Sequence, residues 1–401
     1  MGDRLPFPAD NTVTHRGSPR YRGRKEKKSA IVTAQVAILA DDLTGALDAA
    51  AAFATPASPI RAVWASRNIS DGVGFSMDSE TRDLPAAEAE KAVAGLLPRL
   101  LGGSVSYKKV DSLLRGNTVA EVAVCGGKGP FGSVVVAPAF PAQDRIMRRG
   151  RQYARSSGRW TPVGPSLREE LRKRSIASRL VARGEQPAGG GVLLCDAESE
   201  EDLAGIAAST ENLTHPILWC GSAGLARALA GPHSPAALPP AASTLVLIGS
   251  RHPTSARQVR HLAEAFPEAM VPLVSLEGAE AAVAALAARL REHGRACLAL
   301  ELPNLSRETA KALLEELLAE MIGAMEPPGL LIVGGGDTLM RLAKAVGATR
   351  LDTVGEWRPG IPLSSFPVGR WQGTAVLSKS GAFGDERTLA DALGAMQRRL
   401  P

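Results

Sequence analysis

Residues Val36–Ala54, VAILADDLTGALDAAAAFA, decide the fold. VAILA (Val36–Ala40) is a short apolar run of strand length, read as a buried strand. Two carboxylates follow at once, Asp41 and Asp42, and Thr44 and Gly45 then open a helix whose body is ALDAAAAFA (Ala46–Ala54). A strand that runs through a polar junction into a helix is half of a crossover, and crossovers are what parallel strands require.

The same order recurs down the chain. SVSYKKV, SVVVAPA, GVLLCDA, PILWCG, STLVLIGS, ACLALEL, GLLIVGG and TAVLSKS are further strand candidates, most of them followed by a loop and a helical pattern. The fold class is therefore α/β, with largely parallel sheets flanked by helices. GPHSPAALPPAAS (Gly231–Ser243) breaks the rhythm and reads as a linker. It separates an N-terminal domain, residues 34–232, from a C-terminal domain, residues 243–401, and a hinge between them is expected. SLREELRKRSIASRL (Ser166–Leu180) reads as an exposed basic helix.

Composition sets the outer limits. The chain has 401 residues, 45% hydrophobic and 22% charged, which suits a folded two-domain protein and excludes wholesale disorder. No apolar run reaches the roughly 18 residues of a membrane span, and no signal-peptide core stands near the start. The net charge of +6 is uneven. Residues 1–30 hold eight Lys/Arg against three Asp/Glu, and the rest of the chain balances at 39 − 38 = +1. Residues 1–33 thus read as a disordered basic leader on a nearly neutral body, which argues against a nucleic-acid or membrane partner. Cys125, Cys195, Cys220 and Cys297 form no CxxC pair, so neither a zinc ribbon nor a disulfide scaffold is indicated, and a reducing cytoplasm is the expected setting. A homo-oligomer is compatible with the sequence.

In parallel sheets ligands bind beyond the carboxyl ends of the strands, so the strand–helix junctions carry the functional candidates. At ADDLTG, one carboxylate suffices to cap the helix, which leaves the other for a ligand hydroxyl or a proton. At FSMDSETRDLP, Arg82 has the fork geometry that suits a carboxylate. At YKKVDSLLRGN, Lys109, Asp111, Ser112 and Arg115 crowd one strand end. A buried strand rarely keeps a lysine and an aspartate unpaired; a Lys109–Asp111 ion pair is the alternative to a site. At LVLIGSRHPT, Ser250 precedes a helix beginning near Pro253 and can receive a phosphate. At LLIVGGGDT, Gly335 and Gly336 allow close backbone approach to a polyphosphate, and Asp337 and Thr338 follow. LSKSGAFGDE, with Lys379, Ser380 and Gly381, repeats that theme. The arginine-rich QDRIMRRGRQYARSSGRW reads as an active-site flank or exposed loop, in preference to an RNA-binding segment.

ADDLTGA, YKKVDS with LLRGN, VAPAFPA, GSAGLA, GGGDT and SKSGAFG stand in the order and at the approximate spacing of the four-carbon acid sugar kinase family, formerly a domain of unknown function. The chain resembles that family from about Val36 to Leu393. The resemblance implies an acid-sugar-binding domain, a nucleotide-binding domain and an active site in the cleft between them. It implies an ATP-dependent kinase that phosphorylates the terminal C4 hydroxyl of threonate, erythronate or an oxo-tetronate. Carried over by position, the substrate group is Asp41, Arg82, Lys109, Val110, Asp111 and Ser112, and the nucleotide group is Ser250, Gly335, Gly336, Asp337, Thr338 and Gly381. Asp42 or Asp111 would serve as base, and Lys109 or Arg115 would face the phosphoryl group. Mg²⁺ would accompany ATP, held by phosphates, water and one carboxylate such as Asp337. The chain departs from the family's usual pattern at Leu47, Ala49 and Leu113, and Asp144–Arg145 stands where the family commonly has a Gly-Arg pair. Two other readings compete, a nicotinamide-dependent sugar-acid dehydrogenase and a non-catalytic nucleotide or sugar-acid sensor. The missing GxGxxG counts against the first, and two ligand sites on two domains count against the second.

Overall fold

The structure is a computed structural model that describes residues 36–64, 74–156, 158–232, 234–271, 278–300 and 306–397. The basic leader expected over 1–33 lies outside the described residues.

The first half of the chain runs β1 (Val36–Ala40), α1 (Leu43–Phe53), β2 (Ile60–Trp64), β3 (Phe75–Asp78), α2 (Ala86–Leu96), β4 (Val105–Lys109), α3 (Thr118–Lys128) and β5 (Ser133–Ala137). It continues with β6 (Arg145–Arg148), β7 (Arg151–Ser156), β8 (Arg159–Pro162), α4 (Leu167–Lys173), β9 (Ser178–Val181), β10 (Gly191–Cys195), α5 (Glu200–Ala207), β11 (Ile217–Gly221) and α6 (Ala223–Ala230). The second half holds β12 (Thr244–Ile248), α7 (Pro253–Ala265), β13 (Met270–Val271), α8 (Ala279–His293), β14 (Arg295–Ala299) and α9 (Arg307–Ala324). It closes with β15 (Leu330–Gly334), α10 (Gly336–Ala345), β16 (Arg350–Arg358), β17 (Ile361–Ser365), β18 (Ala375–Lys379) and α11 (Thr388–Gln397).

The expected α/β architecture is present. β2-β3-β1-β4-β11-β5-β10-β9 form one parallel block, and β13-β14-β12-β15-β18 form another. The two blocks are joined in a way the linker did not foretell. β17 and β16 run antiparallel between them, and β16 pairs with β2 from Arg350 opposite Val63 to Thr353 opposite Ile60. A fifteen-stranded sheet results.

Helix α1 lies at the junction and every one of its residues is buried. On one flank Leu43 and Leu47 share a core with Trp64, Leu339, Leu342 and Trp371. On the other, Ala49, Ala50 and Phe53 share a core with Ile38 and Tyr107. A helix pressed from both sides has room for few large side chains, which accounts for its run of alanines. It starts at Leu43, one residue ahead of the Thr44–Gly45 opening read from the sequence, because Asp42 caps it by accepting the Gly45 N–H at 2.7 Å.

Two other local expectations change. The basic helix expected over Ser166–Leu180 stops at Lys173, and its tail pairs with β10 as edge strand β9. The arginine-rich stretch is no loop: β6, β7 and β8 make an antiparallel three-stranded sheet, on which Arg155 lies over the Trp160 ring.

Candidate active site

Strand β4 is fully buried yet carries two adjacent lysines, and alternation sends them to opposite faces of the sheet. Each therefore needs an anionic partner from a different layer. Lys108, 0% exposed, pairs with Glu121 of α3 at 2.7 Å. Lys109 faces Asp48 of α1 at 3.6 Å. The Lys109–Asp111 pair considered from sequence is replaced by these contacts. Asp111 is instead held by Arg115, with Nη2 at 2.6 Å and Nε at 2.9 Å.

The loop after β3 brings Arg82 over the β1–α1 junction. Its Nε and Nη2 both donate to Asp41 at 2.8 Å, and its Nη1 donates to Asp42. All three guanidinium nitrogens are thus engaged by protein carboxylates, with Asp111 at 3.9 Å beyond. Burial alone would raise the Asp41 carboxyl, but Arg82, Lys108 and Lys109 hold it below its ordinary value. Asp111 behaves alike: burial pushes it up, and Arg115, Arg82 and Lys109 bring it well below the usual carboxylate range.

The RGN of the next junction clamps this loop. Asn117 Nδ2 donates to the carbonyls of Thr81 and Leu84, each at 2.8 Å. Gly116 sits at φ +68°, and a Cβ there would come within 2.9 Å of the Arg82 carbonyl, so only glycine fits. Beneath, Thr81 Oγ1 donates to Glu121 Oε1 at 2.5 Å, so the Lys108–Glu121 pair also supports the Arg82 loop.

Two adjoining cavities open at these strand ends. The smaller is lined by Asp42, Lys109, Asp111, Ser112 and Arg115, together with Arg82. The larger is lined by Ser250, Gly335, Gly336, Asp337, Thr338 and Gly381. Gly335, at φ +117°, is the N-cap of α10, whose N-terminus faces the cavity, and a side chain on Gly381 would overlap Ser250 Oγ. Asp42, Thr44, Arg82, Arg115 and Ser380 line both cavities.

Two expected positions are not on either lining. Asp41, 1% exposed, is packed behind Arg82, and Val110 is a core residue whose N–H donates to the Gly221 carbonyl. Capping and cavity exposure therefore fall on one carboxylate, Asp42, instead of being shared between neighbours. Leu47, Ala49 and Leu113, the departures from the family pattern, do not line either cavity. Leu47 belongs to the core.

Asp48 also lines the smaller cavity, as do Phe140, Ser222 and Phe383 of the VAPAFPA, GSAGLA and SKSGAFG motifs, to which the sequence alone assigned no individual role. Phe140 and Phe383 meet edge to face, 5.7 Å between centroids, across the two halves of the chain. Asp48 had one available signal, a lone carboxylate in a helix of apolar residues. Its Oδ1 has no hydrogen-bond partner among the described residues, and burial raises its pKa to about 6 against the pull of Lys109. Between pH 4 and 6 the native state therefore keeps a proton that the unfolded chain releases. Stability falls as pH rises through that window, and the penalty is complete above it. Asp48→Asn is expected to remove up to roughly 3 kcal/mol of this penalty at pH 7 and almost none below pH 4. Urea midpoints of both proteins at the two pH values check it; an equal difference at both would refute the assignment.

The chain matches two domain families in succession. A sugar-binding N-terminal domain matches residues 36–166 and 164–229, and a nucleotide-binding C-terminal domain matches residues 245–389. A D-threonate kinase of Cupriavidus necator is 32% identical over 91% of this chain and 99% of its own length. One of Bordetella bronchiseptica is 29% identical over 91% and 98%. A crystallised Salmonella typhimurium LT2 protein bearing the name tRNA synthase superposes with a TM-score of 0.65 over 89% of this chain and 98% of that one, and at 21% identity it speaks for the fold alone.

Proposed function

The chain belongs to the four-carbon acid sugar kinase family, a phosphotransferase acting on a hydroxyl group, and from that premise we propose that ATP is its donor and a four-carbon sugar acid its acceptor. D-Threonate is the first candidate acid, being the substrate in the names of the relatives. One observation carries the reading: a small polar cavity and a larger glycine-lined one share a border made of Asp42, Thr44, Arg82, Arg115 and Ser380. Transfer between two bound molecules needs such a border, because positioning supplies much of the rate.

In this reading the larger cavity takes the nucleotide, its phosphates drawn to the α10 N-terminus, Ser250 and the backbone about Gly381. The smaller takes the acid. The terminal hydroxyl oxygen attacks the γ-phosphorus, the bond to the bridging β,γ-oxygen breaks, ADP leaves, and the hydroxyl proton passes to Asp42. Arg115 and Arg82 stand at the border to offset phosphoryl charge. Among the described residues no group of three or more His, Cys, Asp or Glu side chains is gathered for a metal ion. Mg²⁺ would therefore be held chiefly by phosphates and water, with Asp42 or Asp337 as the cavity carboxylates able to assist. When bound it would neutralise phosphate charge.

No helix among the described residues is long and apolar enough to cross a membrane. The four cysteines are all buried and free, which accords with work in the cytoplasm, where thiols stay reduced. Neither the dehydrogenase nor the sensor draws support from the relatives, which are named as kinases.

The test is incubation with ATP, Mg²⁺ and a panel of tetronates and oxo-tetronates, following ADP and product mass. The expected result is ADP plus one acid heavier by a phosphoryl group, with the phosphate on C4 by NMR. ADP release without phosphorylated acid would defeat the acceptor assignment.

A further inference from the structure

Three cations of the smaller cavity are already spoken for. Arg82 is engaged by Asp41 and Asp42, Arg115 by Asp111, and Lys109 by Asp48. Lys379, the last residue of β18, is different. It lines the same cavity and is 2% exposed, yet among the described residues no carboxylate lies within ion-pair distance. Among those residues its Nζ has only the Ser255 hydroxyl at 3.4 Å and the Gly381 carbonyl at 3.5 Å. Burial without compensation brings its pKa down to about 7. A second group feels the same excess of positive charge. His252, the cap of α7 on the wall of the larger cavity, is pushed down by burial and then by Arg115, Lys379 and Arg145.

A buried ammonium with no counter-ion is costly, and a fold keeps one where a ligand supplies the missing charge. We propose that Lys379 is a catalytic residue that binds an oxyanion, either the carboxylate of the acceptor acid or the phosphoryl group in transfer. The proposal rests on the kinase reading above for the identity of those anions. It gives the SKSG segment a role in the chemistry beyond shaping the nucleotide loop: Ser380 and Gly381 line the larger cavity, and Lys379 reaches into the smaller one.

The experiment compares the full-length protein with Lys379→Met and Lys379→Arg. Calorimetry measures binding of D-threonate, of ADP with Mg²⁺, and of the β,γ-imido analogue of ATP with Mg²⁺. Methionine fills nearly the same volume without charge, so the fold is expected to hold; Lys379→Gln serves if it does not. Loss of at least about tenfold in threonate affinity, with nucleotides unchanged, identifies the carboxylate as the anion. The same loss for the imido analogue, with ADP unchanged, identifies the phosphoryl group. In either case kcat/KM is expected to fall about 10²- to 10³-fold in the methionine variant and much less in the arginine one. All three affinities and kcat/KM within twofold of wild type would overturn the proposal. Binding is read without turnover, so the two readings fail separately. A wild-type protein that binds these anions but phosphorylates no acid defeats the kinase reading alone.

Discussion

Asp42→Asn is expected to lower kcat for acid phosphorylation by about 10²- to 10⁴-fold, with folding unchanged. Asp42 is the carboxylate on the border of both cavities that also caps α1. Asparagine keeps the cap, because its side-chain oxygen still accepts the Gly45 N–H. It cannot accept a proton. Arg82 loses its Nη1 contact, since the amide NH2 cannot accept, but its bidentate contact with Asp41 still holds the loop above. The substitution therefore separates proton acceptance from architecture, which Asp42→Ala would not, since loss of the cap costs about 1 kcal/mol. Steady-state kinetics and thermal melts together decide the matter. A kcat within threefold of wild type would move the base elsewhere, with Asp111 or Asp48 next in line.

Glu121→Leu is expected to cost about 3–5 kcal/mol of stability, because it leaves the fully buried Lys108 without its partner. The double variant Lys108→Met with Glu121→Leu is expected to recover most of that loss, since two apolar residues of similar volume replace a desolvated pair. Denaturant unfolding of wild type, single and double variants measures both effects. A second consequence separates the pair's two roles. The double variant regains stability but not the Thr81–Glu121 hydrogen bond, so the Arg82 loop stays less firmly held. KM for the acid should remain raised even where the melting temperature has returned. Full recovery of both would show that Glu121 serves the core and not the site.

Much of the lining of the candidate site was legible because buried strands advertise polar residues. A lysine beside an aspartate at the end of YKKVDS, or two carboxylates after VAILA, stands out against apolar neighbours. Glycine loops are equally visible, and all six nucleotide positions named from sequence line one cavity. What escaped the reading depends on distant pairing. Asp41 is packed behind Arg82, a residue 41 positions away, while Asp42 caps α1, and Val110 alternates into the core once β4 and β11 pair. Asp48 was hidden by its alanine surroundings, though it meets Lys109 across the layers. β16 and β17 were missed for another reason. RLDTVGEWR mixes charge, glycine and apolar residues, and its strand character comes from lying between β2 and β17.

The pairing of β16 with β2 has a mechanical consequence. A ladder of main-chain hydrogen bonds, with the buried α1 packed against elements of both halves, makes the sheet a beam that spans both cavities. Swinging the halves apart about the linker would have to break the pairing of Arg350–Thr353 with Ile60–Val63. The separation of the two cavities is then tied to the register of that sheet.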